Sequence, residues 1–356
     1  MRVSALNNLR ARRNPEQRQL QEAYSQVQED ASVQYLVGAM QPVEAGYTQN
    51  TLAEADRVFN QVFQGLWRNG LSAEKGYQGS VTKNTHILAH SDIDLLVVEQ
   101  RFEDWQRPQV PPSPYAGDPL ADLQQLRSIT TSTLRSAFYA ATVDDKPTKC
   151  VRISGGSLTR TVDVVPCNWW RTNDYAQSGN EVYRGIGILD ISVPERQWDQ
   201  PFIHGALLEA KDQRTAGNTK ALVRLLKSLK YDSEGRCDMS SYDIESVVYS
   251  MPDSKMAWSI GDEILLAVAC KDWLVTLESD ATLRNSLDVP DSKRKIFTTG
   301  KATLVQLTSL RRELQGLLED IENSLRQSAR RLNEAKVRWP GGVKQTPWFV
   351  PPQRRM

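Results

Sequence analysis

The chain has little of what marks a secreted, membrane-spanning or zinc-dependent protein. It holds 4 cysteines and 3 histidines in 356 residues. Cys150, Cys167, Cys237 and Cys270 stand far apart without paired spacing, which excludes a disulfide framework and a zinc ribbon. His86, His90 and His204 show neither metal-ligand spacing nor a nucleophile partner and read as ordinary residues. No apolar run reaches the roughly 20 residues needed to span a bilayer. The N-terminal stretch MRVSALNNLRARRNPEQRQL carries positive charge without the apolar core of a secretion signal, so a cytoplasmic location is expected. A formal net charge of +1 leaves no global basic field for gripping duplex DNA.

What is present is a constellation of acids on apolar strands. In DIDLLVV (92–98) side chains alternate across a strand, so Asp92 and Asp94 share one face while Ile93 and Leu95 take the other. In TVDVV (161–165) Asp163 is a lone acid on an otherwise buried strand, and such a carboxylate is costly unless a cation meets it. Ser154-Gly155-Gly156-Ser157 reads as a hairpin turn that brings Asp163 beside the first two acids. Upstream, Gly79-Ser80 suits a tight turn whose amides and hydroxyl hold phosphates, with Thr85 and Ser91 as capping or phosphate-touching neighbours. Three carboxylates gathered this way suit two Mg2+ ions, Mn2+ being the alternative, because a hard cation prefers oxygen ligands and keeps waters and phosphates as the rest.

These residues, Gly79-Ser80 with Thr85, then SDIDLLVV, then TVDVV, resemble the polymerase-beta-type nucleotidyltransferases. Leu222 to Lys227 followed by Ser241-Tyr242-Asp243-Ile244-Glu245 is similar to the spine segment of the cGAS/DncV-like branch, and the resemblance covers roughly residues 55 to 335. It implies an enzyme that joins NTPs, ATP and a second NTP, into a cyclic di- or trinucleotide with release of pyrophosphate. It also implies bacterial anti-phage signalling (CBASS) through a separate effector, with regulatory partner proteins. Asp92, Asp94 and Asp163 are then catalytic and metal-binding. Lys227 and Ser241 reach the donor triphosphate, Tyr242 stacks on a base, and Arg224 joins the nucleotide contacts or pairs with an acid on a neighbouring helix. The residues alone also admit a transferase that modifies RNA, a protein or a small molecule. Base identity, linkage and ring size stay open.

The expected fold class is α+β: a mixed-sheet catalytic lobe and a helical lobe around a central cleft, since the chain exceeds the size of one core. Residues 1–70 are predicted as N-terminal helices joining the lobes, 71–200 as the catalytic core, 201–340 as the helical domain and 341–356 as an extended tail. Ala53 to Trp67 carries an aromatic and aliphatic stripe expected in the core. The Pro-rich stretch 107–117 is expected as a connector. Lys220, Arg224 and Lys227 form a basic stripe beside Leu222, Leu225 and Leu226, and Ala302 to about Ala335 is a long amphipathic helix packed along the second lobe.

Overall fold

The computed structural model describes residues 31–87, 92–193, 195–233 and 237–338. Ser91, His90, the predicted tail and the first part of the predicted N-terminal helix fall outside them. Two helices lead, α1 (Ala31–Met40) and α2 (Ala45–Arg68), followed by β1 (Ala73–Gln78) and β2 (Ile93–Trp105). Helix α3 (Pro119–Ala137) precedes β3 (Thr142–Asp144), β4 (Val151–Ser154) and β5 (Val162–Arg171). A short α4 (Asn173–Ser178), β6 (Gly185–Asp190) and β7 (Glu195–Asp199) complete this half. The rest is helical: α5 (Pro201–Arg214), α6 (Asn218–Asp232), α7 (Ser241–Tyr249), α8 (Glu263–Ser279), α9 (Ala281–Ser286) and α10 (Leu304–Arg338). The architecture is α+β.

The seven strands form one sheet in the order β1-β2-β5-β4-β3, with β6 paired to the C-terminal half of β5 and β7 to β6. Only β2 and β5 run parallel in it. Both are buried on both faces, as central strands must be, which is why they read as near-continuous apolar runs. One face of the sheet presents Ile93, Leu95, Val97, Val162 and Val164 to α2 and α3. The other presents Leu96, Val98, Val165 and Cys167, packed with Ile186 and Trp169. By the period of two, Asp94 and Asp163 belong to this second face.

A separate core joins α1, α6, α7, α8 and α10, with Leu222, Leu225, Leu226 and Leu229 at its centre. Leu307, Leu310, Leu314, Leu317 and Ile321 of α10 are buried in it, while Leu304 is 44% exposed. Thus α1 packs with the helices and α2 with the sheet. Of the aromatic stripe on α2, Phe59 is buried but Trp67 is 69% exposed. Trp67 is a correction: its position one residue beyond buried Leu66 rotates it past the apolar face. Local chemistry sets the helix starts. Asp118 accepts from the amides of Leu120 and Ala121 ahead of Pro119, and Ser240 accepts from the Asp243 amide. No helix among the described residues is long and apolar enough to cross a membrane.

Candidate active site

Strand register builds one row of polar side chains across four strands. Gln78 is opposite Asp94, Asp94 is opposite Asp163, and Asp163 is opposite Arg152. Directly opposed residues share a face, so the row lies together near one end of the sheet. The connection after β4 brings Arg152 back against Asp163. Gly155 and Gly156 both adopt positive φ there, and a Cβ on Gly156 would lie 2.9 Å from the Ala140 carbonyl carbon.

Gly79 follows β1 with φ +89, and a Cβ placed on it would sit 2.1 Å from Asp94 Oδ2. The turn therefore lies directly over the acid, a proximity only glycine allows. Its fold is held from within: the Thr85 amide donates to the Ser80 carbonyl at 3.0 Å and the Thr82 hydroxyl to the Gly79 carbonyl at 3.0 Å. Burial pushes the Asp94 carboxyl up to about 7, with the negative charges of Asp163 and then Asp92 adding to it against Lys83 and Arg152. Asp92 is shifted upward for the same reasons, burial first and then Asp163, although its side chain is half exposed.

Asp163 is not the unpaired acid that its strand suggested. Arg152 donates from Nε to Oδ1 and from Nη2 to Oδ2, each at 2.8 Å, and its Nη2 is 3.8 Å from Asp92. This fork-on-fork geometry uses both oxygens of Asp163. Among the described residues no three His, Cys, Asp or Glu side chains are grouped closely enough to hold a metal ion.

A second cluster lies behind the turn. Glu245 of α7, buried, accepts from Lys83 Nζ at 2.6 Å, Thr85 Oγ1 at 2.7 Å and Lys227 Nζ at 2.7 Å, and is bonded to His204 Nε2 at 2.8 Å. Burial alone would raise its carboxyl, but Lys227, His204 and Lys83 outweigh that and hold it well below the usual range. Lys227 also donates to the Thr85 carbonyl at 3.1 Å, and Arg224 donates to the carbonyls of Met40 at 2.8 Å and Asn84 at 2.9 Å.

Three of the predicted site residues lie in this cluster. Thr85, Arg224 and Lys227 are 0%, 6% and 2% exposed and spend their polar atoms on the backbone of the turn and on Glu245, instead of facing open space. Arg224 takes backbone carbonyls, not the neighbouring acid its stripe suggested. Lys220 is likewise buried, paired with Glu209 and lying 3.9 Å from Asp212. Physically, α6 runs through the middle of the helical core, so its basic stripe meets protein on every side.

Ser241 opens α7 and is half-buried, and Tyr242 beside it stacks on His204 with ring centroids 4.4 Å apart. The Arg294 guanidinium lies 5.1 Å from the Tyr242 centroid, and the phenol donates to Asp291 at 3.4 Å. The structure thus brings Gly79, Ser80, Asp94, Asp163 and Asp92 to one end of the sheet. Sequence reading missed Glu245, His204 and Lys83 as a unit. Glu245 stands inside the recognisable SYDIE segment, but only the packing of α7 on α6 shows that it faces inward.

Residues 206–319 match the family described as the cGAS/DncV-like nucleotidyltransferase C-terminal helical domain. A cyclic dinucleotide synthase, CdnE, of Yersinia aleksiciae is 35% identical over 287 residues, covering 79% of this chain and 75% of that one. A c-di-GMP synthase of a Lachnospiraceae bacterium (strain RUG226) is 30% identical over 284 residues, covering 72% and 80%. The solved structure of a STING-associated CdnE c-di-GMP synthase from Capnocytophaga granulosa superposes with a TM-score of 0.73 at 26% identity, over 91% of this chain and 99% of that one. The identity to the CdnE relative over three quarters of its length, the match of the helical domain and the shared fold together show that the chain is a nucleotidyltransferase of the cGAS/DncV-like family.

Proposed function

We propose that the protein joins two nucleoside triphosphates into a cyclic dinucleotide, with GTP as a substrate, in bacterial anti-phage signalling. The observation that carries the reading is the opposition of Asp94 and Asp163 on the parallel pair β2 and β5, with Gly79 seated over Asp94. Relatives described as cyclic dinucleotide and c-di-GMP synthases support the product class.

The donor set fits Mg2+ chemically. It is all oxygen, and burial with the neighbouring Asp163 and Asp92 raises the Asp94 carboxyl despite Lys83 and Arg152. Asp92, Asp94 and Asp163 would hold the ions, which supply charge to the attacking hydroxyl and to the triphosphate. The chain's own groups do the rest. The turn at Gly79 and Ser80 offers its amides and hydroxyl to phosphate oxygens, and Ser241 presents its hydroxyl at the start of α7. Thr85, Arg224 and Lys227 keep that turn in place from behind, with Lys227 and Glu245 tying it to the helical core. Tyr242 offers an aromatic face to a base when Arg294 moves aside. The acceptor ribose hydroxyl gives its proton to solvent, its oxygen bonds to the α-phosphorus as the bond to the β-phosphate oxygen breaks, and pyrophosphate leaves; a second round in the same cleft, in which the other nucleotide's ribose hydroxyl attacks the remaining α-phosphorus, closes the ring. The expected partners are NTPs and a separate effector, of the STING class by analogy with the Capnocytophaga relative, in the cytoplasm.

Purified protein incubated with Mg2+ and each labelled NTP, then with phosphatase, tests the reading. A small phosphatase-resistant product is expected, formed with GTP present and absent from the Asp163→Ala variant. Label found only on added RNA or protein overturns it.

A further inference from the structure

We propose that Arg152 is a positioning residue that holds Asp163 as a provisional counter-ion and releases it in exchange for a nucleotide triphosphate, so that metal loading at Asp163 is coupled to substrate arrival. The inference rests on the metal-dependent reading of the site above.

The geometry is that of a competition for one carboxylate. Both Asp163 oxygens accept from Arg152 at 2.8 Å, so one lone pair on each is already taken and a cation approaching Asp163 competes with the guanidinium's charge for what is left. Asp163 is 12% exposed at its side chain and pinned in the sheet, so it does not turn away; Arg152 is 43% exposed and has room to move. The Nη2 that bonds Asp163 is also 3.8 Å from Asp92, so the guanidinium lies between two of the three acids. Among the described residues no three ligating side chains are grouped to hold a metal ion in this arrangement.

A guanidinium fork suits phosphate as well as carboxylate. When a triphosphate enters, the fork can exchange a carboxylate for phosphate oxygens, and Asp163 becomes free to ligate the metal that accompanies the nucleotide. The exchange conserves charge: one cation leaves the acid as another joins it, while the fork keeps an anionic partner throughout. Without nucleotide the fork has no such alternative, and a metal reaches Asp163 only in competition with it. This arrangement restrains the site from filling with metal alone.

The coupling is measured on the full chain with Mn2+ alone as probe, following free Mn2+ by electron paramagnetic resonance with and without a non-hydrolysable GTP analogue. The wild type should bind Mn2+ weakly without the analogue and at least about tenfold more tightly with it, the scale of one charge-assisted hydrogen-bond pair. In Arg152→Gln the nucleotide-free affinity should rise by about the same factor and the gain from analogue should fall toward one. Arg152→Lys, which keeps the charge and loses the fork, should fall between them. Equal nucleotide-free affinities in wild type, Gln and Lys variants overturn the coupling. Asp94→Asn serves as the control. If it removes Mn2+ binding while Arg152→Gln behaves as wild type, only the coupling fails. If it binds Mn2+ as the wild type does in both conditions, the metal reading fails with it.

Discussion

The row on the sheet and the cluster around Glu245 are both built from buried or half-buried charge, yet they are opposites. Around Glu245 one carboxylate meets Lys83, Thr85, His204 and Lys227 at 2.6 to 2.8 Å. Around the row, one guanidinium serves Asp163 and Asp92, and Asp94 is pushed up to about 7 by burial and by its acidic neighbours. A satisfied network rigidifies what it touches, whereas uncompensated charge of one sign is held ready for a cationic ligand. Lys83 stands between the two, paired with Glu245 and also acting on Asp94. The difference separates two roles: the Glu245 cluster holds the turn, and the row beneath it is where the proposed chemistry would take place.

The contrast breaks most sharply when one acid of the row loses its charge. Asp163→Asn should lower turnover by at least about a thousandfold, upwards of ~4 kcal/mol of transition-state stabilisation, with little loss of melting temperature. Withdrawal of divalent metal with EDTA should match it; steady-state rates with labelled GTP check both.

The opposite pattern is expected in the other cluster. Glu245→Ala strands Lys227 and Lys83 beside a buried gap and should destabilise the fold by about 3–4 kcal/mol, measured by urea unfolding. Unchanged stability there would show that the four donors rearrange at no cost. Between the clusters, Gly79→Ala adds a Cβ at a φ of +89, against Asp94 Oδ2. It should cost about 10- to 100-fold in turnover while leaving the melting temperature within a few degrees, because a small displacement of the acid disturbs positioning before it disturbs packing.

The smallest effect concerns pH. The Asp94 carboxyl lies near 7 in the folded chain against an ordinary value of 3.8. The folded state therefore holds its proton over a range where the unfolded chain has lost it. Stability from this group is present at about pH 4 and falls as pH rises through about 7. Asp94→Asn should therefore be more stable than wild type by about 2 kcal/mol at pH 8 in EDTA, with the difference shrinking steadily toward pH 4. Melting curves at several pH values read this directly; a difference independent of pH would place the row in the same class as the Glu245 cluster.

Much of the fold was legible from the chain. The apolar runs of β2 and β5, the helical stripes of α6 and α10 and the glycine pair after β4 carry their own periodicity or turn chemistry. The short strands β3 and β7 and the helices α4 and α9 were not legible. Their few residues, as in Glu195–Asp199, have too little pattern of their own and take their form from a partner strand or neighbour. In the candidate site, the placement of Asp92, Asp94, Asp163, Gly79 and Ser80 could be read because a strand's alternation and a glycine's freedom are local properties. The surroundings of Thr85, Arg224 and Lys227 could not. A basic stripe looks the same whether it faces water, phosphate or a buried glutamate.

What the chain determined by itself was therefore one-dimensional: which residues alternate, where the backbone turns, and which acids sit on apolar strands. Only the tertiary structure decided register and burial. Register set Arg152 against Asp163 rather than beside it in open solvent, and burial turned α6 inward so that Lys227 meets Glu245. Both are set by long-range pairing and packing, to which residues far apart in the chain contribute equally, and no local window contains them.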